Sequence, residues 1–466
     1  MSVDRRKFLA NSGKAIAAGF LLPVTTAFAG NGNPAVQDPA MPQIPGGKKK
    51  RILLRSGWQT SNIGDIGHTP GTLRLLEEYL PDAEITLWLA KTNEAVTAML
   101  KKRFPRVMIL TGSLASGKDD QPENKEILDA FRNTDFFIYN SGMHFNYGLF
   151  NYEWTGLVNH LLACFYVCQS LGKPYGLYGQ SFDKFAPPSA YVFAPVLNNA
   201  SFIYCRDTPS LKYLKEHDIH TPVMEFGPDG CFGIDVLNEQ AAATYLQSKG
   251  LKENEFLAIV IRSYTPKTEA RPDTKDVQSP AVATPEQKAL DEVRFEKVNA
   301  LVTAWVRRTG KKVLLAPEVD KEIKAVKELV YDAQPADVQP FIVHRDTFWN
   351  ADEALSVYKR ARVVVGIEPH SLIMAITVGV PVMHLCPFNF GFKGWMFDDI
   401  GLGEWLFDVD KDPADKMVST MLKIDSHYAE AKTKTAKAMA FVQSKQSEGM
   451  KTFETILSKV KTTDQL

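Results

Sequence analysis

Short apolar runs, each closed by a glycine, a proline or a polar turn, recur from residue 51 onward and alternate with longer helix-forming stretches. "RILLRSG" (51–57), "AEITLWLA", "RVMILTG", "DFFIYNSG" (135–142) and "PYGLYGQS" (174–181) read as strands. "TPGTLRLLEEYL" (69–80), "NKEILDAFRNT" and "YEWTGLVNHLLACFYVCQSLG" read as helices, with Thr69 as the N-cap of the first and Pro70 at its first position, where a missing N–H is harmless. Strands that alternate with helices predict a parallel sheet covered by helices on both faces.

After Asp235 the rhythm restarts. A helix (239–249), the strand "FLAIVIRS" (256–263), a long helix (286–309), the strand "KKVLLAP" (311–317), a helix (320–333), the strand "QPFIVH", a helix (352–360) and the strand "RVVVGI" (362–367) follow in order. The fold class expected is therefore α/β, with two doubly wound Rossmann-like domains, 51–236 and 237–466, facing a cleft. The second carries C-terminal helices and an insertion at 264–288, polar and proline-rich, which reads as a disordered segment or as a lid.

Composition narrows the function classes. An apolar fraction of 45% with 23% charged residues suits a globular protein. The balance of 54 basic against 54 acidic residues argues against a nucleic-acid binder. Five scattered cysteines, Cys164, Cys168, Cys205, Cys231 and Cys386, lack zinc spacing and read as core packing.

Residues 1–29 read as an address. They hold the paired Arg5 and Arg6, then Phe8 and Leu9, a weakly apolar stretch, and an Ala27-Phe28-Ala29 end suited to signal peptidase. This resembles a twin-arginine (Tat) signal, which implies passage through the Tat export machinery and a periplasmic or otherwise extracytoplasmic location. An uncleaved tail or membrane anchor is the other reading, although the apolar stretch is shorter than the ~20 residues of a membrane span. Cleavage after Ala29 removes four of the 54 basic residues and one of the 54 acidic ones, leaving 50 and 53. Residues 30–50 form a Gly/Pro-rich flexible linker.

Open parallel sheets hold ligands beyond the carboxyl ends of their strands, so polar residues just after strands are the candidates for chemistry. The turn "GWQTSNIGDIGHTPG" (57–71) has Gly57, Gly64, Gly67 and Gly71, which permit close backbone approach, followed by a helix N-terminus. Its Asn62, Asp65 and His68 either bond sugar hydroxyls or build the turn. In "PHSLIMAITVGVPVMHL" (369–385), His370 stands ahead of an apolar helix, either as a cap or as a cleft residue. His384 and His344 lie within strand-like runs and read as core histidines.

An ordered set of segments from about residue 52 to 405 resembles the polysaccharide pyruvyl transferase family. "NIGDIGHTPGTLRLL" looks like its N-x-G-D and first helix. "FIYCRDTPSLKYL" (202–214) matches R-D-x-x-S-x-x-x-L through Arg206, Asp207, Ser210 and Leu214. "GPDGCFGI" (227–234) matches a P-D-x-x-F element, "LAIVIRS" ends a strand in Arg262, and "EPHSLIMAITVGVPVMHL" resembles R-x-H, an apolar helix and G-V-P-V, with Lys393 beyond.

The resemblance implies a glycosyltransferase-B-like architecture, a glycan acceptor, and ketal transfer of pyruvate from phosphoenolpyruvate or another anionic donor, with no cofactor and no metal. His370 would handle protons; Asn62, Gly64, Asp65, His68, Arg206, Arg262, Glu368 and Lys393 would bind substrate, Arg262 and Lys393 through the donor's anions. Two departures stand out: Glu368 replaces the arginine of R-x-H, and Asp183-Lys184 replace a Gly-Pro turn. An exported protein also meets little phosphoenolpyruvate, a cytoplasmic metabolite. The rival reading is a non-catalytic carbohydrate-binding protein that uses aromatics such as Trp58, His144, Phe145, Tyr147, Trp154, Trp395 and Trp405.

Overall fold

The computed structural model of the chain describes residues 49–114, 125–146, 161–185, 187–263, 285–388 and 391–462. The expectations for the leader, for nearly all of the linker, for residues 264–284 of the insertion, and for Tyr147 and Trp154 lie outside these residues.

Seven strands build one sheet: β1 (Arg51–Ser56), β2 (Glu84–Leu89), β3 (Met108–Thr111), β4 (Phe136–Gly142), β5 (Tyr175–Gln180), β6 (Phe202–Cys205) and β7 (Met224–Phe226). Six build a second: β8 (Phe256–Val260), β9 (Lys312–Ala316), β10 (Ile342–His344), β11 (Val363–Gly366), β12 (Val382–Cys386) and β13 (Leu406–Asp408). The orders are β3-β2-β1-β4-β5-β6-β7 and β10-β9-β8-β11-β12-β13, and every pair is parallel. Winding reverses between β1 and β4 and again between β8 and β11, the two switch points at which such sheets receive ligands. Central strands such as β4, β8 and β11 are buried along their whole length, and β8 and β11 accordingly read as apolar runs, while β4 ends in the buried polar pair Asn140 and Ser141.

The first helix departs from expectation. It spans Ile63–Tyr79 rather than starting at Thr69, with Asn62 as N-cap and Pro70 in its interior. The Asn62 side chain accepts from the amides of Gly64 and Asp65, at 2.8 and 3.4 Å, and so starts the helix seven residues before the expected cap at Thr69. The glycines that suggested a turn serve packing instead: a Cβ at Gly71 would lie 2.0 Å from the Gly230 carbonyl oxygen, and one at Gly67 2.7 Å from Met374. The helix expected at 320–333 is also broken, into Glu322–Val326 and a π-turn at Lys327–Tyr331 that closes with Asp332 N bonded to Lys327 O. The long helix begins at Pro285, so it takes in the last residues assigned to the insertion.

A continuous apolar core joins the inner faces of both sheets with the helix between them. The C-terminal helix Tyr428–Lys459 returns to the first sheet, where Phe453 packs on Phe136 and Phe202 at ring distances of 4.9 and 5.4 Å. All five cysteines are buried and unbridged, as expected of packing residues. No helix among the described residues is long and apolar enough to cross a membrane.

Candidate functional site

The loop after β9 is stitched to the start of the first helix. Ile63 N donates to Glu318 O and Asp320 N to Ser61 O, both at 2.9 Å, and Asn62 forms an antiparallel bridge with Val319. This seam sets the first helix against the helix Pro369–Thr377 that follows β11. Gly64 is the point of closest approach: a Cβ there would lie 2.3 Å from His370 Nδ1, so the space beside Gly64 is filled by the imidazole.

Two histidine–carboxylate pairs meet at this contact. His370 Nδ1 lies 3.0 Å from Glu318 Oε1, while Ser371 N and Ser371 Oγ donate to Glu318 Oε2 at 2.8 and 2.7 Å. His68 Nδ1 lies 2.8 Å from Asp229 Oδ1, and Asp229 Oδ2 accepts from Arg206 Nη1 at 2.7 Å. The two imidazoles touch edge to face, with centroids 4.7 Å apart and planes at 84°. His370 is only 7% exposed, and its Nε2 is buried with no hydrogen-bond partner among the described residues. Burial disfavours charge on both rings, yet the outcomes differ. Desolvation dominates at His68 and lowers its pKa, whereas at His370 the bonded Glu318 carboxylate outweighs burial and raises it.

Beside this pair, Glu368 sits between two cations. Its Oε1 accepts from Arg262 Nη1 at 2.8 Å, and Lys393 Nζ is 3.7 Å from Oε2. Burial opposes its charge, but Lys393 and Arg262 hold the carboxyl down to about 2. Arg262 also approaches Glu322 at 3.8 Å; burial pushes Glu322 up to about 7 despite the guanidinium. Arg262 and Lys393, at 29% and 27% side-chain exposure, form the solvent-facing side of the cluster.

His68, Asp229 and His370, and separately Glu318, Glu368 and His370, bring ligand-type atoms within 4.8 Å of one another. The donor sets do not suit a divalent cation, because Asp229 already faces Arg206 and Glu368 already faces Arg262 and Lys393. A bound ion would have to displace or endure those fixed positive charges. The arrangement suits proton transfer beside anions.

The sequence-derived candidates separate here. His370, His68, Gly64, Asp65, Arg206, Arg262, Glu368 and Lys393 converge on one cluster. Asn62 is the helix cap, with its side chain spent on backbone amides. His370 is not the cap of its own helix; Glu368 holds that position without a side-chain cap bond. Arg262 and Lys393 were expected to face a donor's anions and are instead shared with Glu368. His384 is the expected core histidine: buried, with Nε2 3.1 Å from Ile367 O. His344 is only partly buried, with Nε2 3.0 Å from Ile323 O. Of the aromatics proposed for sugar stacking, Phe145 and Trp405 belong to the core, and Trp58 packs on Tyr139 and His144. Glu318 and Asp229 escaped notice as functional groups. The available signal was a carboxylate directly after a parallel strand, in "VLLAPE" and in "GPDG".

A family model described as polysaccharide pyruvyl transferase matches residues 62–385. No curated protein matches the chain. Among solved structures, a glycosyltransferase from Rickettsia africae superposes with a TM-score of 0.56 at 12% identity, over 89% of this chain and 99% of that one. HepE from Anabaena, solved with UDP and glucose, gives 0.53 at 12% identity over 87% and 100%. UDP-GlcNAc 2-epimerase from Methanocaldococcus jannaschii gives 0.51 at 13% identity over 80% and 92%. At these identities the likeness concerns the fold, the glycosyltransferase-B-like pairing of two parallel sheets.

Proposed function

Since the chain belongs to the polysaccharide pyruvyl transferase family, we propose that it transfers a pyruvyl group, as a ketal, from phosphoenolpyruvate or a related anionic donor to a glycan. The observation that carries this reading is His370: held by Glu318 through Nδ1, with a buried Nε2 that has no partner among the described residues, and two positions along from Glu368, which Arg262 and Lys393 face. Ketal formation needs a proton delivered to the enol carbon and protons accepted from two sugar hydroxyls, and an imidazole working near neutral pH suits both. Arg262 and Lys393 suit the donor's phosphate and carboxylate, provided that Glu368 yields them.

Paired Arg5 and Arg6 support Tat export, which would place the acceptor among extracytoplasmic glycans. Arg5→Lys with Arg6→Lys should leave a full-length precursor in the cytoplasm; unchanged export of the double variant refutes the leader.

The activity is tested by incubating the protein with phosphoenolpyruvate and extracytoplasmic glycans, following phosphate release and the mass of the product. His370→Asn, whose amide can still face Glu318, should lower turnover by about 10²–10⁴. Glycan binding without a product from any donor would replace this reading with that of a carbohydrate-binding protein.

A further inference from the structure

His68 faces a carboxylate of its own, sits in contact with His370, and lies on the helix that follows β1 of the other sheet. We propose that His68 is a second proton-handling group, the base to the acid of His370, and that the two histidine–carboxylate pairs divide the proton traffic of one reaction. This deepens the pyruvyl transfer reading and rests on it for the identity of the donor.

The division follows from what each carboxylate already holds. Asp229 is shared: Arg206 takes one oxygen at 2.7 Å, and the other receives Cys231 N at 2.8 Å as well as the His68 ring. Its charge is balanced by the guanidinium, so it offers His68 little to set against burial. Among the described residues Glu318 bonds only neutral donors besides His370, the amide and hydroxyl of Ser371; Arg262 bears on it by charge without a bond, so the imidazole is the one titratable group it holds directly. A carboxylate can only accept, so the Nδ1 bonded to Glu318 carries the proton in His370; His68 Nδ1 faces Asp229 at 2.8 Å, out of line for a hydrogen bond, and the negative charge there favours the same tautomer. The surroundings thereby bias His68 toward the neutral form, with a lone pair on Nε2, and His370 toward the cation. Environments that push two like groups apart in this way assign an acid and a base.

Other charges bear on both rings. Asp65, half-buried in the first turn of the helix that carries His68, interacts with both imidazoles and has its own pKa raised, chiefly by burial. Arg206 opposes a charge on either ring. Asp229 favours the charged form of His370, and His144 couples to His68. Glu368 on the His370 side couples to that ring, and so does buried His384.

The steps balance. His370 gives a proton to C3 of the enol, so that the methylene becomes a methyl group. The first sugar hydroxyl oxygen bonds to C2, and its proton passes to His68 Nε2. The second hydroxyl oxygen then bonds to C2 as the C2–O bond to phosphate breaks, with the electron pair leaving on phosphate. The second hydroxyl's proton restores His370, and His68 returns its proton to the departing phosphate. Two protons leave the diol; one ends on the methyl group and the other on phosphate.

Ring nitrogen NMR on the free protein tests the pair without any donor, with His68→Asn and His370→Asn used for assignment. At pH 7 His68 should be neutral with the proton on Nδ1, and His370 should carry both protons. Two rings that titrate together, or His68 as the cationic one, would overturn the proposal. With phosphoenolpyruvate and a glycan, the pH profile of kcat/KM should fall on the acid side as His68 takes up a proton and on the alkaline side as His370 loses one. His68→Asn should lower turnover by about 10²–10⁴ and abolish the acid limb. Glu318→Gln should move the alkaline limb to lower pH, which a merely structural role would not do. Retention of full turnover and of the acid limb by His68→Asn defeats the proposal. Absence of wild-type turnover with phosphoenolpyruvate defeats the donor reading instead, and the ring NMR then decides the pair.

Discussion

Glu368 shows how a single residue changes the meaning of its neighbours. In place of an arginine beside the histidine, it takes up the charge of Arg262 at 2.8 Å and part of that of Lys393 at 3.7 Å. An anionic donor must compete with a carboxylate that these cations hold ionised down to about pH 2. Glu368→Gln should remove the competing negative charge and tighten binding of phosphoenolpyruvate. Regaining one charge-assisted bond is worth about 1.5 kcal/mol or more, roughly a tenfold fall in Kd. Calorimetric titration measures it; weaker donor binding by the variant would mean that Glu368 itself helps to hold the ligand. The pairing of Glu368 with Arg262 and Lys393 was not legible in the sequence, because it is fixed by the position of β11 relative to β8 and β12.

At the scale of elements, the first helix carries the site. Its early start at Ile63 sets Gly64 against His370 and His68 against Asp229, and the seam with Val319 and Asp320 holds it there. Local pattern pointed to a later start, since the glycines read as a turn and Pro70 as the first helical residue; the Asn62 cap and tight packing decide otherwise. Gly64→Ala is the clearest test, because its φ is ordinary and only space is at stake. A methyl group 2.3 Å from Nδ1 must push the ring off Glu318. Overpacking of this kind costs about 1–3 kcal/mol. Thermal melts should show that loss together with reduced turnover, whereas full turnover at reduced stability would show that the Glu318 contact is dispensable.

Across the whole molecule, the two halves also meet at Asp399, which accepts from Thr208 N at 2.8 Å and Thr208 Oγ1 at 2.6 Å. Burial, with help from Asp207 and Asp398, pushes this carboxyl up to about 7 in spite of those bonds. A raised carboxyl favours the folded state most below its unfolded pKa near 3.8, and that advantage is lost as pH rises toward 7. Asp399→Asn keeps an acceptor and drops the charge, so its stability relative to the parent should improve from pH 5 to pH 8. A melting-temperature difference that stays flat across this range would contradict the assignment. Alternating apolar runs and helix-forming stretches were enough by themselves to determine the α/β class, the two sheets and most strand bounds, because those depend on local periodicity and burial. The same sequence carried His370 and His68 as candidates, since each follows a strand or its turn, and Arg206 through its resemblance to the family pattern. Only the tertiary structure decided that Glu318 orients one histidine and Asp229 the other, and that Glu368 engages Arg262 and Lys393. Such pairings join residues up to 161 positions apart, and their charge states depend on burial and on shared partners, which exist only once both sheets are packed together.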